Sequence, residues 1–339
     1  MTLFLPPTPF EWVLFFCVFF GLGSFVAASE FIRARLNGSP EITRKLVHVV
    51  TGVLICFAPR IFTSGIPPML LAASFMVINF GAIRFGLLKG MHGTNRVSFG
   101  TVYYPFSFFM LVLLAWDSAP YIITISILVL ALGDAAAAIV GEHRPHPHMY
   151  ALTSDKKSVE GSAAMFLVTF AVLLAGLHWV VPSEITLPMP SAVIAASIAL
   201  FVTAWEAISS QGSDNLTVPL SAGYALDYFL TPLPHHIPAQ FVTGLVLALA
   251  IVLLSYRFRF LSASGAAATF ILATIIFGIG GWMWTVPIVT FFILSSMLSK
   301  LSGRTKREAE LLFEKSGRRD AGQVAANGGV AGAVIVFWY

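Results

Sequence analysis

Several short stretches place ionisable side chains at the ends of apolar runs. Arg44-Lys45-x-x-His48-x-x-x-Gly52 opens one run, and positions 44, 48 and 52 share a helical face. Gly133-Asp134-Ala-Ala-Ala-Ala-Ile-Val-Gly141 ends another. Asp155-Lys156-Lys157-Ser158 followed by Glu160-Gly161-Ser162 leads into a third. Trp205-Glu206 closes a fourth, and Gly212-Ser213-Asp214-Asn215-Leu216-Thr217-Val218-Pro219 begins a fifth. Carboxylates that hold Mg²⁺, beside cations that neutralise phosphate, are what phosphoryl transfer requires. The expected catalytic carboxylates are Asp134, Asp214, Glu160 and Glu206, with Asp134, Asp214 and Glu206 as Mg²⁺ ligands. Arg44, Lys45, His48, Lys156, Lys157, Ser158, Gly161, Ser162 and Asn215 are the expected nucleotide and phosphate contacts.

Each stretch also has a plainer reading. Lys45 fits a basic anchor that snorkels at a helix end, although His48, one turn deeper, needs a polar partner. Small residues at 133, 137 and 141 suit a close helix seam. Lys156 and Glu160 are i,i+4 neighbours and fit a simple pair. Asp214 or Asn215 fits a helix cap. Two lysines at a helix opening oppose its macrodipole unless an anion lies between them and the free N–H groups. No G-x-x-x-x-G-K-[ST] run is present, which excludes a P-loop. His143, His146 and His148 read as solvated loop residues.

The elements that must hold these side chains are membrane helices. Of 339 residues, 57% are hydrophobic and 11% charged, with mean hydropathy +0.85, against about 25% charged in soluble proteins. This excludes a soluble enzyme, a disordered chain and a nucleic-acid partner. Apolar runs predict spans over 11–31, 44–63, 66–87, 100–116, 119–141, 158–181, 190–209, 215–232, 240–256, 261–280 and 282–299, with a cut-off run at 327–339. The expected fold is thus an all-α polytopic bundle of about eleven complete spans, in the cell membrane. An outside N-terminus puts every lysine and arginine except Arg60 on the cytoplasmic side, and keeping 215–232 as a span is what preserves that bias. The same parity gathers the candidate residues at the cytoplasmic face. Cys17 and Cys56 belong to no paired motif. Glu11 stands where a signal peptide would carry basic residues, so the first run is expected to remain as a span.

A family resemblance rests on these same residues. Arg44-Lys45-x-x-His48, Ser98-Phe99-Gly100-Thr101-Val102-Tyr103-Tyr104-Pro105, Gly133-Asp134-Ala-Ala-Ala, Lys157-Ser158-x-Glu160-Gly161-Ser162 and Asp214-Asn215-Leu-Thr-x-Pro219 resemble the phytol kinase/dolichol kinase family over residues 40–232. The resemblance implies a polytopic kinase that phosphorylates an isoprenoid alcohol such as phytol, farnesol, geranylgeraniol or a polyprenol, with CTP (or ATP) and Mg²⁺. It also implies that Asp134 and the Lys-Ser-x-Glu-Gly-Ser stretch bound the nucleotide loop. Residues 240–339 differ: Leu261-Ser262-Ala263-Ser264-Gly265-Ala266 and Arg318-Arg319-Asp320-Ala-Gly-Gln323-Val-Ala-Ala-Asn327-Gly328 resemble the opening of the phytyl-phosphate kinase (transmembrane protein 19-like) family. The expected domains are therefore 1–232, kinase-like, and 233–339, a partial second unit. Two rivals remain at this level. A CDP-diacylglycerol synthase-like cytidylyltransferase also meets CTP and lipid, yet its C-terminal basic and acidic signature is missing. A secondary transporter would carry its polar site near the midplane.

Overall fold

Among the described residues, several apolar runs opened by proline (Pro9, Pro40, Pro120, Pro238) or by a capping serine (Ser39, Ser158, Ser262) fold as helices. The computed structural model describes residues 2–36, 39–86, 98–301 and 319–338. Two units are resolved, Met1–Leu230 and Thr231–Tyr339. The first holds α1 (Pro9–Leu36), α2 (Pro40–Ile55), the short α3 (Ala58–Ile61), α4 (Ile66–Phe85), α5 (Gly100–Ala115), α6 (Pro120–His143), α7 (Val159–Trp179), α8 (Ser191–Ile208) and α9 (Asp214–Leu230). The second holds α10 (Pro238–Arg257), α11 (Ala263–Ile279), α12 (Gly281–Leu301) and α13 (Ala321–Trp338).

Eight helices among the described residues are long and apolar enough to cross a membrane, including α1, α4, α6, α7 and α8. Two shorter apolar helices, α5 and α11, join them. The final run, expected as a fragment from 327, begins instead at Ala321 and is an 18-residue candidate span. Of the basic residues behind the orientation argument, Lys89, Arg96, Arg304, Lys306, Arg307, Lys315 and Arg318 lie outside the described residues.

One departure from an all-helical chain matters. Residues Met149–Ala151 (β1) and Lys156–Ser158 (β2) pair antiparallel, with Tyr150 opposite Lys157. Alternation along β2 then turns Lys157 away from the exposed Lys156.

Helix α6 is the centre of the first unit. It reads Ile-Ile-Thr-Ile-Ser-Ile-Leu-Val-Leu, apolar on every side, and 61% of its apolar window is buried, against 17% for α1. Over Val129–Asp134 it widens into a π-helical stretch, a feature frequent at functional sites. In the second unit α11 carries a similar stretch at Thr274–Ile279. There Gln240 donates to the carbonyls of Gly278 and Ile279 at 3.3 and 3.2 Å.

Candidate active site

In the first unit, the starts of α2, α5, α7 and α9 meet the ends of α6 and α8. They enclose a cavity of about 1210 Å³. Of the thirteen residues singled out above, all but Glu160 line it.

The α6–α7 contact shows how a seam and a functional carboxylate share one helix. A Cβ on Gly133 would sit 2.8 Å from Met165 Sδ and 3.0 Å from Thr169 Oγ1, and one on Gly161 would sit 2.8 Å from the Ala137 carbonyl oxygen. The small residues therefore face α7 and let the backbones close. Asp134, one step on, faces the cavity. Opposite it stands His48, with Nε2 3.8 Å from Asp134 Oδ2 and 3.4 Å from the Leu130 carbonyl oxygen. The His48 ring stacks on Tyr104 at 4.6 Å, and the Tyr104 hydroxyl donates to the His48 carbonyl at 3.3 Å. This answers the need for a polar partner one turn into α2. Position 52 on the same face packs tightly, since a Cβ there would meet Ala131 and the Tyr104 hydroxyl. Nearer the mouth, Lys45 pairs with Glu142 of α6 at 2.5 Å and Arg44 lies 3.8 Å from Glu41.

Lys157 is the best-held cation. Its Nζ donates to Glu206 Oε1 at 2.6 Å and to the Glu206 carbonyl oxygen, and lies 3.9 Å from Asp214 Oδ2. Burial works against its charge, but the Glu206 and Asp214 carboxylates outweigh this and hold the ammonium above the usual lysine range. Burial likewise raises the Tyr150 phenol, even though its hydroxyl shares a 2.5 Å hydrogen bond with Ser162. At the helix opening, Ser158 Oγ accepts from the Gly161 N–H at 3.0 Å.

The α8–α9 hinge is fixed by a backbone crossing. Gln211 and Gly212 take φ of 54° and 82°, in the left-handed region where glycine fits without strain. The Phe99 N–H donates to the Gln211 carbonyl at 3.0 Å, and the Gln211 N–H donates to Asp155 Oδ2 at 2.9 Å. A Cβ on Gly212 would lie 2.6 Å from the Gly100 nitrogen, and one on Gly100 would lie 2.6 Å from Asn215 Nδ2. The crossing explains why Ser98-Phe99-Gly100 belongs with Asp214-Asn215, a link that spacing along the chain does not reveal. Asn215 Nδ2 donates to the Gly212 carbonyl at 3.2 Å and to Asp214 Oδ1 at 3.2 Å.

Glu160 stands apart from the other candidates. Its carboxylate accepts from the His148 N–H at 3.0 Å and from His148 Nδ1 at 2.7 Å, with Arg144 Nε at 3.7 Å. The β1–β2 hairpin brings His148 back onto the first turn of α7, so Glu160 pairs there rather than with Lys156 and does not line the cavity. His148 is thus bonded as well as exposed.

The oxygens suit a divalent cation only in part. Glu206 Oε2 and Asn215 Oδ1 are buried with no hydrogen-bond partner, which leaves both oxygens able to take a ligand. Among the described residues no three His, Cys, Asp or Glu side chains come close enough to cage a metal. Mg²⁺ commonly takes one or two carboxylates and completes its shell with phosphate and water, and the donors here fit that mode.

Away from the charges, the same cavity runs between apolar walls that include Phe19, Phe20, Phe75, Ile78 and Phe108. No charge pattern in the sequence marks this arm. Helices of membrane-spanning length around an inner cavity with a charged pole and an apolar arm define a polytopic membrane enzyme.

Comparison with known proteins makes the assignment narrower. The chain is 32% identical over 206 residues to a phytol kinase of Synechocystis sp., covering 59% of this chain and 84% of that protein. It is 25% identical over 217 residues to a probable chloroplastic phytol kinase of Triticum aestivum, covering 59% and 71%. Protein PGR of Arabidopsis thaliana shares 30% identity over 97 residues, 29% of this chain and 33% of that protein. Residues 246–339 match a family described as integral membrane protein DUF92. No solved structure matches the chain. The chain belongs to the phytol kinase family, membrane enzymes that phosphorylate an alcohol.

Proposed function

We propose that the first unit transfers the γ-phosphate of a nucleotide, CTP by family resemblance, to the hydroxyl of a membrane isoprenoid alcohol. One observation carries the reading: a single cavity joins a pole of Lys157, Lys156, Arg44 and carboxylates to an arm walled by phenylalanines. A phosphate chain and an isoprenoid are both matched, each at its own end. The volume of about 1210 Å³ exceeds the roughly 300–1,000 Å³ of ordinary ligand pockets, which suits two reactants held together.

In this reading Asp134, with His48 at 3.8 Å, accepts the hydroxyl proton of the alcohol. The alcohol oxygen bonds to the γ-phosphorus while the bond from phosphorus to the bridging oxygen breaks. The nucleoside diphosphate leaves with that electron pair. Lys157, fixed between Glu206 and Asp214, faces the phosphates, with Lys156 and Arg44 at the rim. Asp214, Glu206 and Asn215 would hold Mg²⁺, which neutralises phosphate charge as it shifts to the leaving group. Proximity and charge stabilisation supply the rate in such a site.

Parity of the apolar runs favours this pole at the cytoplasmic face of the cell membrane, with the N-terminus outside and about eleven complete crossings plus a partial last one. The second unit is read as an appended helical domain related to phytyl-phosphate kinases.

The test is a transfer assay on membranes containing the protein, with phytol, farnesol, geranylgeraniol and dolichol as acceptors. γ-Labelled CTP or ATP is expected to put its label on lipid. Label reaching lipid only from the α position would identify a cytidylyltransferase, and flux without nucleotide consumption would identify a transporter.

A further inference from the structure

The apolar arm of the cavity reaches the outside of the helix bundle. Phe20, Gly23 and Ala27 of α1 and Ile78 of α4 line the same cavity as Lys157 and Asp134. They are nevertheless exposed, Phe20 at 63% and Ile78 at 44%. A residue that both lines a cavity and faces outward marks a mouth.

That mouth lies part-way along two candidate membrane spans, α1 and α4, the depth expected of hydrocarbon. Phe20 stands 11 residues after Pro9 and 16 before Leu36, about 16 and 24 Å from the two helix ends at 1.5 Å per residue. Helix α1 is held firmly at the end away from the site. There Glu11 accepts from Thr63 N–H at 2.7 Å, Ser64 N–H at 2.9 Å and Thr8 N–H at 2.8 Å. Towards the site it is held sparsely: beyond Phe15 only Leu22 and Ser29 are buried, and the Phe19–Phe75 ring contact at 5.5 Å bridges α1 to α4.

We propose that α1 and α4 frame a lateral slot through which the isoprenoid chain of the acceptor enters from the bilayer, its hydroxyl running ahead to the charged pole. This rests on the kinase reading above. The occupant follows from the chemistry of the mouth. An isoprenoid alcohol already dissolved in the leaflet slides between apolar walls without wetting its chain, whereas entry past Arg44 and Lys156 would drag that chain through water. The charged pole is left for the nucleotide.

Two glycines of α1 provide a matched test. A Cβ at Gly21 or at Gly23 would meet nothing within 4 Å, so a side chain can leave the backbone at either place without a clash at its root. Only Gly23 lines the cavity. Gly23→Trp is expected to lower kcat/KM for geranylgeraniol by about tenfold or more and to leave water-soluble dimethylallyl alcohol within about twofold. Gly21→Trp should match the unmodified protein with both alcohols. Equal losses on both alcohols, or a Gly23→Trp protein as active as Gly21→Trp on geranylgeraniol, would overturn the slot. A benzophenone-bearing geranylgeraniol decides the matter without turnover. Cross-links at 19–27 and 75–79 support the slot, and cross-links confined elsewhere refute it. An unmodified protein that phosphorylates neither alcohol would instead overturn the kinase reading.

Discussion

Two helix openings in this chain are built on one pattern and have different flanks. Ser158 opens α7 and accepts from the Gly161 N–H at 3.0 Å, while Ser262 opens α11 and accepts from the Gly265 N–H at 3.1 Å. Each glycine stands against a carbonyl, of Ala137 and of Arg319, where a Cβ has no room. The residue before the cap is Lys157 in the first case and the buried Leu261 in the second. Lys157 faces Glu206 and Asp214, whereas Leu261 bridges to the backbone of Arg319. The serine–glycine pair is therefore a packing device common to both units. What separates a candidate phosphate site from a well-made helix start is the cation ahead of the cap and the carboxylates that fix it.

Making the first opening resemble the second is the most severe way to break this contrast. Lys157→Leu combined with Glu206→Gln removes the cation and the carboxylate that would be left unpaired. Membrane insertion should persist while phosphate transfer falls by about a thousandfold or more. Lys157→Leu alone should also cost about 3–5 kcal/mol of stability, because Glu206 is then buried without its partner. Next in size, Asp134→Asn should lower transfer by about a hundredfold or more in a protein that inserts normally. Near-normal turnover would remove Asp134 from the site.

The glycines sharpen the contrast. Gly161→Ala and Gly265→Ala should each lower thermal stability by about 1–3 kcal/mol through overpacking. Only Gly161→Ala should reduce transfer as well, since it displaces the opening that carries Lys157. The smallest effect concerns pH. The Lys157 pKa is raised in the folded protein, so its contribution is complete below the unfolded value of about 10.4 and fades as pH climbs through the folded one. Turnover and thermal stability followed to alkaline pH should show no Lys157-dependent loss below about pH 10.

Much of the charged pole was legible in the sequence. The alternation of apolar runs assigns Lys45, Asp134, Lys157, Glu206 and Asp214 to one side of the membrane, and the packing of α2, α6, α8 and α9 then brings them to one cavity. The pairing of Glu160 with His148 was hidden because it depends on a hairpin of two three-residue strands, too short to leave a period in the sequence. The Gly100–Gly212 crossing was hidden for a different reason: backbone proximity between segments over a hundred residues apart depends on glycines that read locally as ordinary turn residues. The apolar arm along α1 was invisible because Phe19, Phe20 and Gly23 are typical of any lipid-facing helix.

The wide turn at Val129–Asp134 sets a rotational phase. A π turn accommodates one residue more than an α turn, and one residue corresponds to about 100° around a helix. Without that surplus residue, the buried stem over residues 122–127 and the segment that carries both the glycine–alanine edge and Asp134 would share one angular register. The inserted residue lets the buried stem of α6 and its acidic tip obey separate angular registers.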